Sequence, residues 1–295
     1  MNSILGSITE VGHHLIRPIS VLQLSKCLDS LTFSGLILSI FVVVGVYIFY
    51  SSFLAFIVSV SLSCPNLPTM ILGWNCQGIC NASTVRALKA QIKGSKPNVV
   101  FLSEIKANET RMEEVKNSIG FSGKIVVDAK GKMGGLCLMW KWGVNVEVEK
   151  FNKNILVVKI KEALCEWLMV GFHGPPYPAK KRKAWENICA ILESFQGPWV
   201  CLGDFNYIVN AEEKCGGDKG GTLAPNYLKE LMFDLGAIDL GYSGNKFTWA
   251  KGRWGSATIK ERLDRGLASI SWRLVFPKAS VQHLGTLNSD HLPIL

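Results

Sequence analysis

Six polar residues stand at the ends of short apolar runs. Asn75 closes Ile71-Leu72-Gly73-Trp74, Glu104 follows Val99-Val100-Phe101-Leu102-Ser103, and Asp204 and Asn206 follow Trp199-Val200-Cys201-Leu202-Gly203. Asp290 and His291 precede Leu292-Pro293-Ile294. Carboxylates and amide oxygens are the donors a hard divalent cation prefers, and imidazole is the side chain that gains or loses a proton near neutrality. One carboxylate after a strand is an ordinary turn or cap residue. Several at successive strand ends, with amides and a histidine among them, are harder to explain as turns. Strand ends on a rigid sheet hold side chains in register while the loops beyond them stay free to vary.

The elements that must carry these residues follow from local pattern. Apolar runs predict strands over Met70–Trp74 and Asn98–Leu102. Further strands are expected over 124–127, 135–140, 144–148, 155–160, 167–172, 199–202, 247–249, 262–267 and 279–283. Helical spacing predicts helices from a Ser83 cap to Ile92, over Glu109–Ile119, over Lys180–Phe195 and over Tyr227–Leu235. In the third of these, Trp185, Ile188, Ile191 and Leu192 share one face. Many strands with a few helices laid over them imply an α/β two-layered sandwich. Trp140, Trp142, Trp167 and Trp185 are read as core.

Composition bounds the class. The chain has 295 residues, 48% hydrophobic and 19% charged, with 28 Gly and 11 Pro, which excludes disorder, collagen and a coiled coil. Nine Cys without a CxxC pair exclude a zinc ribbon and argue against a disulfide scaffold, so the thiols are expected to be reduced and in the core. Residues 1–69 carry Arg17 and Lys26 against Glu10 and Asp29, so the whole net charge of +9 belongs to the remainder. Such an excess points to a polyanionic partner, nucleic acid before a membrane surface. No charged residue occurs between Asp29 and Arg86, and residues 31–62 are apolar enough to predict a hydrophobic helix that spans a membrane. A buried helix and a segment unrelated to the domain behind it are the other readings. Pro65 and Pro68 mark the boundary, giving an N-terminal extension over 1–69 and a globular domain over 70–295.

Within 70–295, Trp74-Asn75-Cys76-Gln77-Gly78, Ser103-Glu104-Ile105-Lys106, Gly203-Asp204-Phe205-Asn206, Arg262-Leu263-Asp264 and Ser289-Asp290-His291 occur in that order. Together they resemble the motifs of the endonuclease/exonuclease/phosphatase superfamily, which contains exonuclease III, the apurinic/apyrimidinic endonucleases and DNase I. The resemblance implies a DNase I-like four-layer α/β/β/α sandwich, preceded here by the hydrophobic N-terminal helix. Gly134-Gly135-Leu136 before Trp140, Gly174-Pro175-Pro176 followed by Arg182 and Trp185, and Asn245-Lys246-Phe247-Thr248-Trp249 are similar to the endonuclease domain of plant LINE-type (non-LTR) retrotransposons. Such domains commonly begin near the position of Met70, which favours reading residues 1–69 as an unrelated addition.

What the resemblance implies is metal-assisted phosphodiester hydrolysis. Glu104, Asn75 and Asp290 are expected to hold Mg2+, with Mn2+ as an alternative. Asp204 is expected to deprotonate the attacking water and Asn206 to hold that water or a phosphate oxygen. His291, paired with Asp264, is expected to donate to a non-bridging oxygen. One departure stands out: the superfamily usually has a Tyr where Phe172-His173-Gly174-Pro175 places His173. His173 can donate to phosphate in its place, or can mark a decayed element with impaired activity. DNA contacts are expected from Lys180, Lys181, Arg182 and Lys183, and from Arg253 and Arg262 around the Gly252–Gly255 hairpin. The function expected is a DNA-nicking endonuclease. The alternatives are a lipid-headgroup or inositol-phosphate phosphatase or phosphodiesterase of the same fold, which a membrane span would suit, and an inactive retrotransposon relic. A nuclease role implies the nucleus, and an expressed span over 31–62 implies a membrane.

Overall fold

The computed structural model describes residues 69–131, 133–162, 165–217, 226–252, 258–285 and 289–295. The expected N-terminal helix and span over 31–62 lie outside the described residues, as does Arg253. Among the described residues no helix is long and apolar enough to cross a membrane.

The chain alternates strands and helices in its first half: β1 (Ile71–Asn75), α1 (Ala82–Ser95), β2 (Val99–Ser103), α2 (Glu109–Ile119), β3 (Gly123–Val127) and β4 (Leu136–Trp140). Three meandering strands follow, β5 (Asn145–Phe151), β6 (Ile155–Lys161) and β7 (Glu166–His173), and then α3 (Pro178–Ser194) and β8 (Trp199–Asp204). The remainder is β9 (Lys214–Cys215), α4 (Tyr227–Asp234), β10 (Ile238–Asp239), β11 (Ser243–Gly244), β12 (Trp249–Lys251), β13 (Ile259–Glu261), β14 (Asp264–Ala268), α5 (Ile270–Val275) and β15 (Gln282–His283).

Two main sheets form, in the orders β1-β2-β4-β3 and β10-β14-β8-β7-β6-β5. Period-two alternation explains how they stack. Val99 and Phe101 of β2 join Leu156, Val158, Met169, Val200 and Leu202 between the sheets. Val100 and Leu102 point the other way, beneath Leu88 of α1 and Met112 and Val115 of α2. On the second sheet, Val157, Leu168, Val170 and Phe172 lie beneath Trp185, Ile188 and Leu192 of α3 and Leu228 and Leu231 of α4. Strands apolar on both faces, each face covered, give four layers, α/β/β/α. Each such aliphatic or aromatic side chain stabilises the fold by about 1.5–3 kcal/mol when fully buried.

Pairing direction then fixes where functional groups can sit. β1 and β2 run parallel with Asn75 opposite Ser103, and β7 and β8 run parallel with His173 opposite Asp204. β14 is antiparallel to β8 with Asp264 opposite Asp204. The carboxyl ends of four strands and the start of a fifth therefore meet at one rim. Gly203, at φ +137, lets β7 and β8 approach there, since a Cβ on it would meet the Phe172 carbonyl oxygen at 2.1 Å.

Several local expectations differ from what forms. The α1 cap is Asn81, whose side chain accepts from the Ser83 amide, and the helix runs on to Ser95. The strand expected over 262–267 begins only at Asp264, as β14, because Leu263 and Asp264 donate their amides to Thr248 Oγ1. Only Gln282 and His283 of the segment 279–283 pair as a strand. Trp142 is 92% exposed and is not core. It follows β4 on a turn, where indole amphipathicity tolerates water. Gly73 and Ile294 exchange both backbone hydrogen bonds at 2.8 Å, and Ile294 is buried. Cys76, Cys137 and Cys201 are buried free thiols as expected, and burial pushes the Cys76 thiol up to about 12, whereas Cys80 and Cys215 are exposed.

Candidate active site

Asp204 is the hub of the rim. It is buried at the end of β8, and its Oδ2 accepts from Asn75 Nδ2 at 3.0 Å and Asn206 Nδ2 at 2.9 Å. Its Oδ1 accepts from the Asn206 backbone amide at 2.8 Å. Asn206 can fold back this way because it adopts a left-handed backbone, φ 51, which asparagine tolerates better than most residues. Its amide also donates to the Gly174 carbonyl at 2.7 Å, tying the turn after β8 to the turn after β7. Gly174 has no side chain to obstruct that contact, and a Cβ on it would lie 2.3 Å from the Phe205 carbonyl oxygen.

Two imidazoles face the same carboxylate oxygen. The Nε2 atoms of His173 and His291 each lie 3.7 Å from Asp204 Oδ2. His291 Nδ1 bonds Asp264 Oδ2 at 2.8 Å, and both residues are buried. Burial alone would push the His291 imidazolium down. The carboxylates of Asp264 and Asp204 outweigh it and hold the group up at about 10, so His291 is cationic at neutral pH. Thr248, wholly buried, braces the Asp264 end by accepting two backbone amides. Trp74 Nε1 holds the His291 carbonyl at 3.1 Å, and Ser289 Oγ bridges the Asn75 carbonyl at 2.8 Å and the His291 amide at 3.1 Å. Asn154 Nδ2 holds the His173 carbonyl at 2.7 Å.

Glu104 sits just beyond β2 at φ 50, a left-handed conformation that costs a residue with a Cβ roughly 1–2 kcal/mol. The Ile105 and Lys106 amides anchor it to the carbonyls of Gly135 and Gly134. Its side chain is 24% exposed, 3.6 Å from His173 Nε2 and 3.4 Å from Lys106 Nζ. Asn75 Oδ1 and His173 Nε2 are buried without a hydrogen-bond partner. Leaving such an atom unpaired costs about 1–3 kcal/mol, so this corner of the site is built to meet something further. An orphaned amide oxygen near a part-exposed carboxylate fits a hard divalent cation. Asp204, Asp264 and His291 also bring potential ligand atoms within 4.8 Å of one another. There, however, the donors already satisfy one another, and the arrangement suits proton handling.

The rim thus gathers Asn75, His173, Asp204, Asn206, Asp264 and His291 by direct contact, with Glu104 beside His173. Asp290 stands at its edge, with Oδ2 accepting from Trp249 Nε1 at 2.9 Å. The basic residues diverge. Lys180, Arg182 and Lys183 are exposed on α3, with Arg182 Nε on Glu186 at 2.8 Å. Lys181 turns inward and donates to the Asn206 carbonyl. Arg262, expected among the DNA contacts, is instead buried, with its guanidinium on Asp239 and Glu213. Arg253 lies outside the described residues, although β12 and β13 pair antiparallel around the expected hairpin. Trp74, Asn154, Thr248 and Ser289 were not legible as site residues. Their contribution is a single indole, amide or hydroxyl bond to a distant backbone, and no local pattern marks such a bond.

A four-layer sandwich with a carboxylate, two amides and an aspartate-paired histidine on one rim defines a phosphoesterase-like hydrolytic class. The chain belongs to the Endonuclease/Exonuclease/phosphatase family, which matches residues 72–291. A comparison with curated proteins gave no match. Among solved structures, the fold is similar to the endonuclease domain of TRAS1, a telomere-specific non-LTR retrotransposon. That pair has TM-score 0.57 and 17% identity, covering 77% of this chain and 96% of the other. AP endonuclease LMAP from Leishmania major gives TM-score 0.58 and 16% identity, with coverage of 76% and 85%. The 3′ phosphatase NExo from Neisseria, bound to product DNA hairpin, gives TM-score 0.59 and 14% identity, with coverage of 77% and 98%.

Proposed function

We propose that residues 70–295 form a metal-assisted phosphodiester hydrolase that nicks DNA and derives from a LINE-type retrotransposon. The observation that carries this reading is the Asp204 hub, where one carboxylate is oriented by two amides and faces a cationic His291 at 3.7 Å. Asp204 Oδ2 takes the proton of the attacking water, and the amides of Asn75 and Asn206 fix the direction from which it does so. His291, kept cationic by Asp264, donates through Nε2 to a non-bridging phosphate oxygen as negative charge gathers there. Such preorganised donors contribute about 3 kcal/mol each. His173 offers a second donor through its unpartnered Nε2, in the place where the superfamily usually has Tyr. Glu104 and Asn75 Oδ1, with Asp290 at the edge, would hold Mg2+ or Mn2+. Bound there, the cation would neutralise charge on the phosphate and on the leaving 3′ oxygen. Lys180, Arg182 and Lys183 meet the DNA backbone, and such a substrate places the work of the protein in the nucleus.

The test is incubation of the full chain with supercoiled plasmid and Mg2+ or Mn2+, with an EDTA control. Wild type is expected to give nicked circles. Glu104→Gln and His291→Ala are each expected to lose about 100-fold or more in rate, the loss typical of one preorganised group. No nicking with phosphate released from inositol phosphates would replace this reading with the inositol-phosphate phosphatase. A folded chain with neither activity would make it a relic.

A further inference from the structure

Four basic residues open α3, and they do not share one environment. Lys180 lies over the Tyr177 ring at 5.6 Å, Arg182 pairs with Glu186, and Lys183 is exposed. Lys181 is half-buried, its Nζ donates to the Asn206 carbonyl oxygen at 2.9 Å, and it stands 4.0 Å from the centre of the Tyr207 ring. Among the described residues no carboxylate lies within ion-pair distance of it. Burial pushes its ammonium below the usual lysine range, opposed at longer range by the charges of Asp204 and Glu261. The first turn of α3 has no acidic residue, so a cation there sits at the unfavourable end of the helix dipole. A desolvated lysine in that position, aimed at a backbone carbonyl, needs a reason beyond surface charge.

The carbonyl it holds belongs to a residue whose backbone N–H and side-chain Nδ2 are both engaged. The Asn206 amide nitrogen meets Asp204 Oδ1 at 2.8 Å, and its side chain bonds Asp204 Oδ2 and the Gly174 carbonyl. Its backbone is left-handed, at φ 51. We propose that Lys181 is a positioning residue: it locks the left-handed turn at Asn206 from the helix side, and through Asn206 it fixes the orientation of the Asp204 carboxylate. It does not contact substrate phosphate, unlike its neighbours in the basic run. This rests on the reading of Asp204 as the general base, but the structural half of it can be tested separately.

In the full chain, Lys181→Met is expected to lower kcat about 10- to 100-fold, the worth of one charge-assisted hydrogen bond, with KM within about twofold of wild type. Lys181→Arg keeps a cation and a donor and is expected to recover most of that loss. Lys183→Met is expected to raise KM instead. A raised KM with unchanged kcat in Lys181→Met would overturn the proposal and make Lys181 a phosphate contact. Equal losses of kcat in Lys181→Met and Lys181→Arg would overturn it as well. Amide hydrogen exchange over residues 203–209 needs no activity. It is expected to quicken in Lys181→Met and to stay at the wild-type rate in Lys180→Met. Unchanged exchange in Lys181→Met would refute the lock even if the chain nicks DNA. Quickened exchange in a chain that never nicks would leave the lock standing while the nuclease reading fails.

Discussion

His291 is held far from its ordinary behaviour. Burial and two carboxylates act on it in opposite senses, and the carboxylates win. The consequence extends to folding. Its folded pKa, about 10, lies above the unfolded value of 6.5, so the folded state binds the proton more tightly. The stabilisation is complete below 6.5 and is lost as pH rises through about 10. Urea midpoints measured in EDTA are therefore expected to fall for wild type across that window, and to fall less for His291→Gln. Identical pH profiles for the two proteins would mean that the Asp264–His291 pair is not ionic. His173 lies equally close to Asp204 yet bonds no carboxylate through Nε2. Two imidazoles at one distance from one oxygen are therefore in different states, one locked by a partner and one free to meet a ligand.

At the scale of elements, the active rim depends on a second ionic cluster behind it. Arg265 follows Asp264 on β14 and is wholly buried. With Arg262 it engages Glu213 and Asp239 at 2.8–2.9 Å, and it also donates to the Tyr207 carbonyl at 3.3 Å. Burial alone would raise both carboxyls, but the two guanidiniums hold them below the usual carboxylate range. Glu213 also receives the Val209 amide through Oε2. The cluster therefore joins the loop that carries Asn206, the strand that carries Asp264, and β10. Removing one partner leaves a buried charge uncompensated, so Arg265→Met is expected to destabilise the fold by about 3–5 kcal/mol in urea unfolding. A loss under about 1 kcal/mol would show that the cluster relaxes into water and does not brace the rim.

At the scale of the whole molecule, the charge excess and the family fold point to a polyanion laid across the rim. Binding of duplex DNA by fluorescence anisotropy is expected to weaken steeply with salt, with a log–log slope of about −0.9 per phosphate contacted. Lys183→Met is expected to flatten that slope by about one unit. An unchanged slope would place the DNA elsewhere. The apolar runs marked the strands and the helices laid over them as a two-layered sandwich, and four layers entered only as what the motif resemblance implies; the structure shows four because strands apolar on both faces are covered on both. The sequence by itself also marked the ordered motif residues, of which Asn75, Glu104 and Asp204 stand at strand ends and Asp264 opens β14. Only the tertiary structure decided which basic residues face solvent. Lys180, Lys181, Arg182 and Lys183 read alike as a string, and so does Arg262 beside its hairpin. Helix rotation turns Lys181 toward Asn206, and a buried pair of carboxylates claims Arg262. Trp142 differs from its expected place in the core for the same reason. Exposure and hydrogen-bond partners are set by chain segments far away in sequence, and no local spacing records them.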